Sequence, residues 1–225
     1  NVSAEATSSA GAAVTYDAAT ATDTGDDSVA VTYSQASGST FAIGTTTVTA
    51  TATDDSGNVS TCSFDVAVVD TTVPTITCAA NVSAEATSAA GAAVSYDVAI
   101  ATDIGDDSVA ITYSAASGST FAIGTTTVTA TATDDAGNTA TCTFDVTVDD
   151  NVAPTIYCPG DLTVSAVCNL SGQTAGAAAV GFGLPAATDA TDDDVEVVCV
   201  PASGSIFGMG ATTVTCTATD EFGNT

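Results

Sequence analysis

The chain of 225 residues contains no lysine, arginine or histidine, against 27 aspartates and glutamates, for a formal net charge of -27. With no cationic side chain to neutralise phosphate, the composition argues against binding nucleic acid or an anionic membrane surface. It also argues against catalysis. Without histidine or lysine, serine and threonine lack their usual general bases, and no carboxylate pair stands apart from the loops. Lysine-dependent isopeptide cross-links are excluded outright. Tryptophan is absent and aromatics make up 5% of the residues, so any core must be built mainly from Val, Ile and Ala. The mean hydropathy of +0.35 comes from small residues and alternation, and no apolar run is long enough for direct membrane insertion as a helix. There is no initiating Met and no signal peptide, so the sequence reads as an excerpt from a longer secreted chain.

What is present is a repeat. Residues 118–150 read GSTFAIGTTTVTATATDDAGNTATCTFDVTVDD, residues 38–70 are nearly identical, and a diverged copy begins at Gly204. Asn1 and Asn81 open the same phrase, a period of 80 residues. Across 127–133, threonines alternate with Val128, Ala130 and Ala132, the period of two that gives a strand one apolar face. Asp134 to Asn138 supply turn chemistry, and Cys142, Phe144, Val146 and Val148 mark the inner face of a second strand. The two form a hairpin. In the middle repeat, further strands are expected at 74–78, 82–85, 94–100 and 108–113, with a turn at 89–92 and an edge piece at Phe121.

The Phe-x-x-Gly-Thr-Thr-Thr-Val-Thr run, the Ala-Thr-Asp-x-x-Gly-Asn loop and the Cys-x-Phe-x-Val-x-Val ending resemble the C-terminal half of the hyalin repeat. The resemblance covers nearly the whole chain. It implies an all-β protein of tandem immunoglobulin-like sandwiches arranged end to end. Residues 1–70 are expected to form a repeat lacking its first strand, 71–150 a complete one, and 151–225 one lacking its last strand. The short linkers, 69–74 and 149–154, end in Pro74 and Pro154, which stiffen them. About six extra residues between Val167 and Gly176 in the third repeat are absorbed at a turn.

The seven cysteines fall at corresponding places in small β repeats, as in proteins of an oxidising, extracellular compartment. In an immunoglobulin-like domain the first and last strands run parallel, which sets Cys78 beside Cys142. Pairing Cys62 with Cys78 would join equivalent poles of successive domains, too far apart for a disulfide. The partners of Cys62 and Cys158 are therefore expected outside the excerpt. Cys199 and Cys216 stand where the middle repeat has Tyr113 and Ala130, a concerted change that suggests they face one another. Cys168 is left over, for Cys158, another chain or no partner.

A recurring acidic pattern is the strongest candidate site. One loop carries Asp23, Asp26 and Asp27, then Asp103, Asp106 and Asp107, then Asp189, Asp192 and Asp193. Another carries Asp54, Asp55 and Asn58, then Asp134, Asp135 and Asn138, then Asp220, Glu221 and Asn224. In a sandwich these loops share the pole at which the linker residues Asp70, Asp149 and Asp150 arrive. Ca²⁺, with six to eight oxygen ligands in flexible geometry, suits such a set. The same residues also serve as ordinary turn formers; the absence of any compensating cation favours calcium over that reading. The spacing is not that of an EF-hand.

The expected protein is an extracellular or cell-surface structural and adhesive one, a stalk or filament-forming array rigidified by disulfides and Ca²⁺. Its expected partners are copies of itself, in fibres or arrays, and cell-surface glycans or matrix. An alternative is a carbohydrate- or ice-binding module using the threonine faces. Another is a halophile's surface protein whose charge serves only to hold salt. Asn1, Asn58, Asn81 and Asn169 each begin an Asn-x-Ser sequon.

Overall fold

The computed structural model describes residues 1–25, 28–165 and 176–225. Twenty strands and no helix are assigned among them. The first repeat holds β1 (Val2–Glu5), β2 (Ala12–Ala13), β3 (Ala30–Tyr33), β4 (Thr40–Phe41), β5 (Gly44–Thr53) and β6 (Val59–Val69). The middle repeat holds β7 (Thr75–Thr77), β8 (Val82–Glu85), β9 (Ala92–Ala93), β10 (Ile100–Thr102), β11 (Ala110–Tyr113), β12 (Thr120–Phe121), β13 (Gly124–Thr133) and β14 (Thr139–Asp149). The third holds β15 (Thr155–Tyr157), β16 (Ala177–Ala179), β17 (Ala186–Thr188), β18 (Glu196–Val200), β19 (Ile206–Gly208) and β20 (Thr215–Thr219). The fold is all-β, of the tandem immunoglobulin-like sandwich class. Asp26, Asp27, Cys168 and Asn169 lie outside the described residues.

One compact unit comprises Asn1–Ala79, Asp97–Ala115 and Val128–Phe144. Its principal sheet has the order β1-β6-β5-β3, with β1 parallel to β6 and the other pairs antiparallel. The alternation in the sequence sets the register: Val48 faces Phe64 across β5 and β6, while the intervening threonines point outward. Val48, Val66 and Val68 are buried together with Ala6, Ala12, Val14 and Phe41. Tyr16 packs on this core, its ring centroid 4.8 Å from Phe64 and 5.4 Å from Tyr33. Further along, β7 pairs antiparallel with β10, and Cys78 is bonded to Cys142 with their Cα atoms 5.7 Å apart. In the first repeat, residues 20–22, the counterparts of β10, form no strand and border an open groove of about 620 Å³ that also reaches Cys62. The thiol of Cys62 is free and exposed.

The other unit comprises Ala80–Tyr96, Ala116–Thr127 and Asp145–Thr225. Here β8 runs parallel to β14, as β1 does to β6, and β12 pairs with β9. In the third repeat β15 pairs with β17, β16 with β19 and β18 with β20. Cys199 and Cys216 are register partners and are disulfide-bonded, as Tyr113 and Ala130 are register partners in the middle repeat. Cys158 is free and exposed.

One expected strand differs. Residues 94–100 do not form a continuous strand; only β10 at their end does. A period of two would bury Val98 and Ile100 with Val94 and Tyr96, yet these two are 75% and 68% exposed while Ala99 is buried. The alternation slips by one residue after Tyr96. Val94 and Tyr96 are instead anchored to a turn, through the amide of Gly118 donating to Val94 O and the amide of Tyr96 donating to Ser117 Oγ.

Candidate metal centre

The hairpin turn between β13 and β14 is built by its own side chains. Gly137 adopts a positive φ of 91°, and Asp134 Oδ1 and Oδ2 accept from the backbone and side-chain amides of Asn138 at 2.7 and 2.9 Å. Burial pushes the Asp134 carboxyl up, but the Asn138 donations, with turn amides behind them, outweigh it and hold the group below the usual carboxylate range. Asn138 Nδ2 also donates to the backbone oxygen of Asp70 at 3.2 Å, which ties the linker after β6 to this turn. The linker then turns on Asp70 itself, whose Oδ1 accepts from the Thr72 amide.

The loop after β10 supplies the third carboxylate. Asp103 Oδ2 accepts from the Gly105 amide at 2.7 Å. One carboxylate oxygen each from Asp70, Asp103 and Asp134 lies within 4.8 Å of the others. Asp70 and Asp134 are buried, at 9% and 5% exposure. Oδ1 of Asp103 is, among the described residues, the one buried side-chain oxygen or nitrogen with no hydrogen-bond partner. Gly105 completes the setting: a Cβ there would come within 2.3 Å of Asp70 Oδ2. Asp103 also borders an open cleft, lined by Thr72, Val73, Thr102 and Ile104, that leads to solvent. Such a donor set, three carboxylates with one oxygen buried and unserved, fits a hard cation.

The other expected ligands are distributed as follows. Asp106 is half-buried and its Oδ2 accepts from the Asp135 amide at 3.0 Å, so it braces the two loops against each other. Asp107, Asp135, Asp149 and Asp193 are exposed. In the third repeat Asp150, Asp192 and Asp220 are buried and Asp189 half-buried. Asn224 Nδ2 donates to Asp220 Oδ2 and to the backbone oxygen of Asp150, and the Glu221 amide to Asp192 Oδ2. In the first repeat the Asn58 side chain and amide hold Asp54 below the usual range.

Two linker anchors went unrecognised in the sequence. Glu5, at the end of β1, accepts from the Thr71 amide at 2.6 Å and the Thr71 hydroxyl at 3.0 Å. The Thr71 amide, ahead of desolvation and the hydroxyl donations, accounts for the lowered pKa of Glu5. Glu85 makes the corresponding bonds to the amide and side chain of Asn151. The recurrence of Val-Ser-Ala-Glu at 2–5 and 82–85 was the available signal. The threonine rows donate partly within their own sheet, as Thr47 to Asp65 and Thr127 to Asp145, both at 2.8 Å.

A hyalin of Strongylocentrotus purpuratus is 35% identical over 212 residues, 91% of this chain and 17% of its own length. A hyalin of Lytechinus variegatus is 30% identical over 220 residues, 95% of this chain and 40% of its own length. The chain thus spans less than half of either relative. Among solved structures, cadherin domains 1-5 of protocadherin gamma B2 align over 99% of this chain and 52% of theirs, with 15% identity and a TM-score of 0.34. Human CDH23 EC21-23 aligns over 80% and 70%, with 17% identity and a TM-score of 0.33. Residues 3–68, 69–148 and 149–225 each match the HYR domain, and the chain belongs to that family.

Proposed function

We propose that the chain is a section of an extracellular adhesive array of HYR domains, one each in 1–70, 71–150 and 151–225, with Ca²⁺ held where the linker after β6 meets the loops of the middle repeat. The observation that carries the calcium reading is the buried, unserved Asp103 Oδ1 beside the carboxylates of Asp70 and Asp134. Asp70, Asp103 and Asp134 would hold the ion, with the Asn138 side chain orienting Asp134 and the Asp70 carbonyl. A bound divalent cation would neutralise this crowding, for which the chain has no cationic side chain, and would fix the linker to both loops. The array's role is mechanical, and its partners are further copies and the matrix or glycans around it. The two hyalin relatives and the absence of any histidine, lysine or arginine support a non-enzymatic role.

The test is thermal unfolding of the full chain at fixed ionic strength, in EGTA and with added CaCl₂. At free Ca²⁺ about 100-fold above its dissociation constant, the folded state gains about 2.7 kcal/mol. A transition that ignores EGTA, or that added NaCl restores as well as CaCl₂ does, overturns the calcium reading.

A further inference from the structure

The third repeat repeats the acidic pattern but not its chemistry. Its loop reads Ala-Thr-Asp189-Ala-Thr191-Asp192, where the middle repeat has Ala-Thr-Asp103-Ile-Gly105-Asp106, so Thr191 stands in the place of Gly105. The Thr191 hydroxyl lies 2.5 Å from Asp150 Oδ2 and 2.6 Å from Asp189 Oδ1. The Thr191 amide donates to that same Asp189 oxygen at 2.8 Å, which leaves the hydroxyl proton for Asp150. Asp150 Oδ1 is served by the Val152 amide. Asp220 Oδ1 accepts from the amides of Phe222 and Asn224, and its Oδ2 from Asn224 Nδ2. Asp192 accepts from the amides of Asp194 and Glu221. No buried oxygen in this set is left without a partner, in contrast to Asp103 Oδ1.

We infer that the two linker sites are not equivalent: the Asp70, Asp103 and Asp134 site takes a divalent cation, whereas the Asp150, Asp189 and Asp220 site is closed by the Thr191 hydroxyl and takes none. This rests on the calcium reading of the first site. At Gly105 the Asp70 carboxylate fills the place a side chain would take, since a Cβ there would lie 2.3 Å from its Oδ2, whereas at Thr191 the side chain is present and its Oγ1 lies between the linker carboxylate and the loop carboxylate. A neutral donor thereby does locally what a cation does at the other site, but without its charge. One residue, glycine or threonine two positions after the loop aspartate, selects between a joint that responds to calcium and one that does not.

The experiment is calorimetric titration of the full chain with CaCl₂ in physiological NaCl, on the wild type, Thr191→Gly, Gly105→Thr and Asp103→Asn. The expected result is one saturable site in the wild type, two in Thr191→Gly, and at least a tenfold weaker first site in both Gly105→Thr and Asp103→Asn. Far-UV circular dichroism and an intact Cys78–Cys142 bridge show that each variant folds. Two sites in the wild type, or a single unchanged site in folded Thr191→Gly, overturn the inference while leaving the first site standing. Wild-type binding that Asp103→Asn leaves untouched, or no binding at all, overturns the calcium reading itself and this inference with it.

Discussion

Breaking the bridge of the middle repeat should cost more than breaking the bridge of the third, and the difference follows from where each lies in the chain. Cys78 and Cys142 are 64 residues apart, Cys199 and Cys216 only 17. In the chain-entropy account a cross-link removes freedom from the unfolded ensemble in proportion to the logarithm of the loop it closes, which gives about 4 kcal/mol for the long loop and about 3 kcal/mol for the short one at 25 °C. The native-state replacements reinforce the ordering. Cys199→Tyr with Cys216→Ala installs the facing pair that Tyr113 and Ala130 form in the middle repeat. Replacing Cys78 and Cys142 by serine offers no such packing, and it frees the joint between β7 and β14. The assay is urea unfolding of the full chain, with free thiols alkylated beforehand because Cys62 and Cys158 are exposed and would exchange with the bridges. Limited proteolysis with mass identification assigns each transition to a repeat. A loss in the Cys199→Tyr/Cys216→Ala variant equal to or larger than that in the serine variant refutes the loop-length reasoning.

Three further outcomes are expected. Gly91 has φ of +101°, and a Cβ on it would meet the carbonyl oxygen of Phe121 at 1.8 Å, so Gly91→Ala should lower the urea midpoint by the equivalent of well over 1 kcal/mol, roughly beyond the range for strain-free sites. Phe121 is 3% exposed, and Phe121→Ala should destabilise the middle repeat by about 3 to 5 kcal/mol in the same assay, with the first repeat's transition unchanged. Asp54 has its folded-state pKa lowered first by the Asn58 side chain; its contribution to stability is therefore full above the ordinary carboxylate value and is lost as pH falls through the lowered one. Asn58→Ala should accordingly reduce the drop in melting temperature between neutral pH and about pH 3, and an unchanged drop would remove Asp54 from the acid response.

The hairpin of β13 and β14 was legible in the sequence because Val128, Ala130 and Ala132 alternate with threonine and Cys142, Phe144, Val146 and Val148 alternate with polar residues, and burial follows that alternation residue by residue. The Cys78–Cys142 bridge followed from the parallel relation of first and last strands, and the Cys199–Cys216 bridge from a concerted change at two positions. Residues 94–100 misled because an apolar residue at Val98 kept an apparent period of two going after the real one had slipped at Asp97. The carboxylates were legible as loop clusters, but not their sorting. Whether an aspartate is served or left unserved depends on which amides its oxygens reach, and Asp103 and Asp189 sit in almost the same sequence context. Between Asp103 and Asp106 the loop differs from its counterpart at two positions, Ile104 against Ala190 and Gly105 against Thr191, and the second reads as a trivial turn substitution until the hydroxyl is seen between two carboxylates.

A chain with no cationic side chain must find other positive partners for its carboxylates, and the pattern of partners explains why one position stands out. Asp54, Asp134 and Asp220 each draw on the backbone and side-chain amides of the asparagine four residues on. Asp106 and Asp192 take the amides of Asp135 and Glu221 from the neighbouring turn, and Glu5 and Glu85 take the linker amides of Thr71 and Asn151. Backbone N–H groups thus act as the counter-charges of the fold, each a partial positive charge already fixed by strand and turn geometry. That supply is limited by topology, since a turn presents only the amides not used in the ladders. At the loop after β10, glycine contributes its amide to Asp103 Oδ2 and has no side chain to offer Oδ1. The shortfall of one donor, in a place shared with Asp70 and Asp134, is where a cation from solution has the most to gain. Threonine at the same position in the third repeat sets a hydroxyl between Asp150 Oδ2 and Asp189 Oδ1, and among the described residues no buried side-chain oxygen of that set is without a partner.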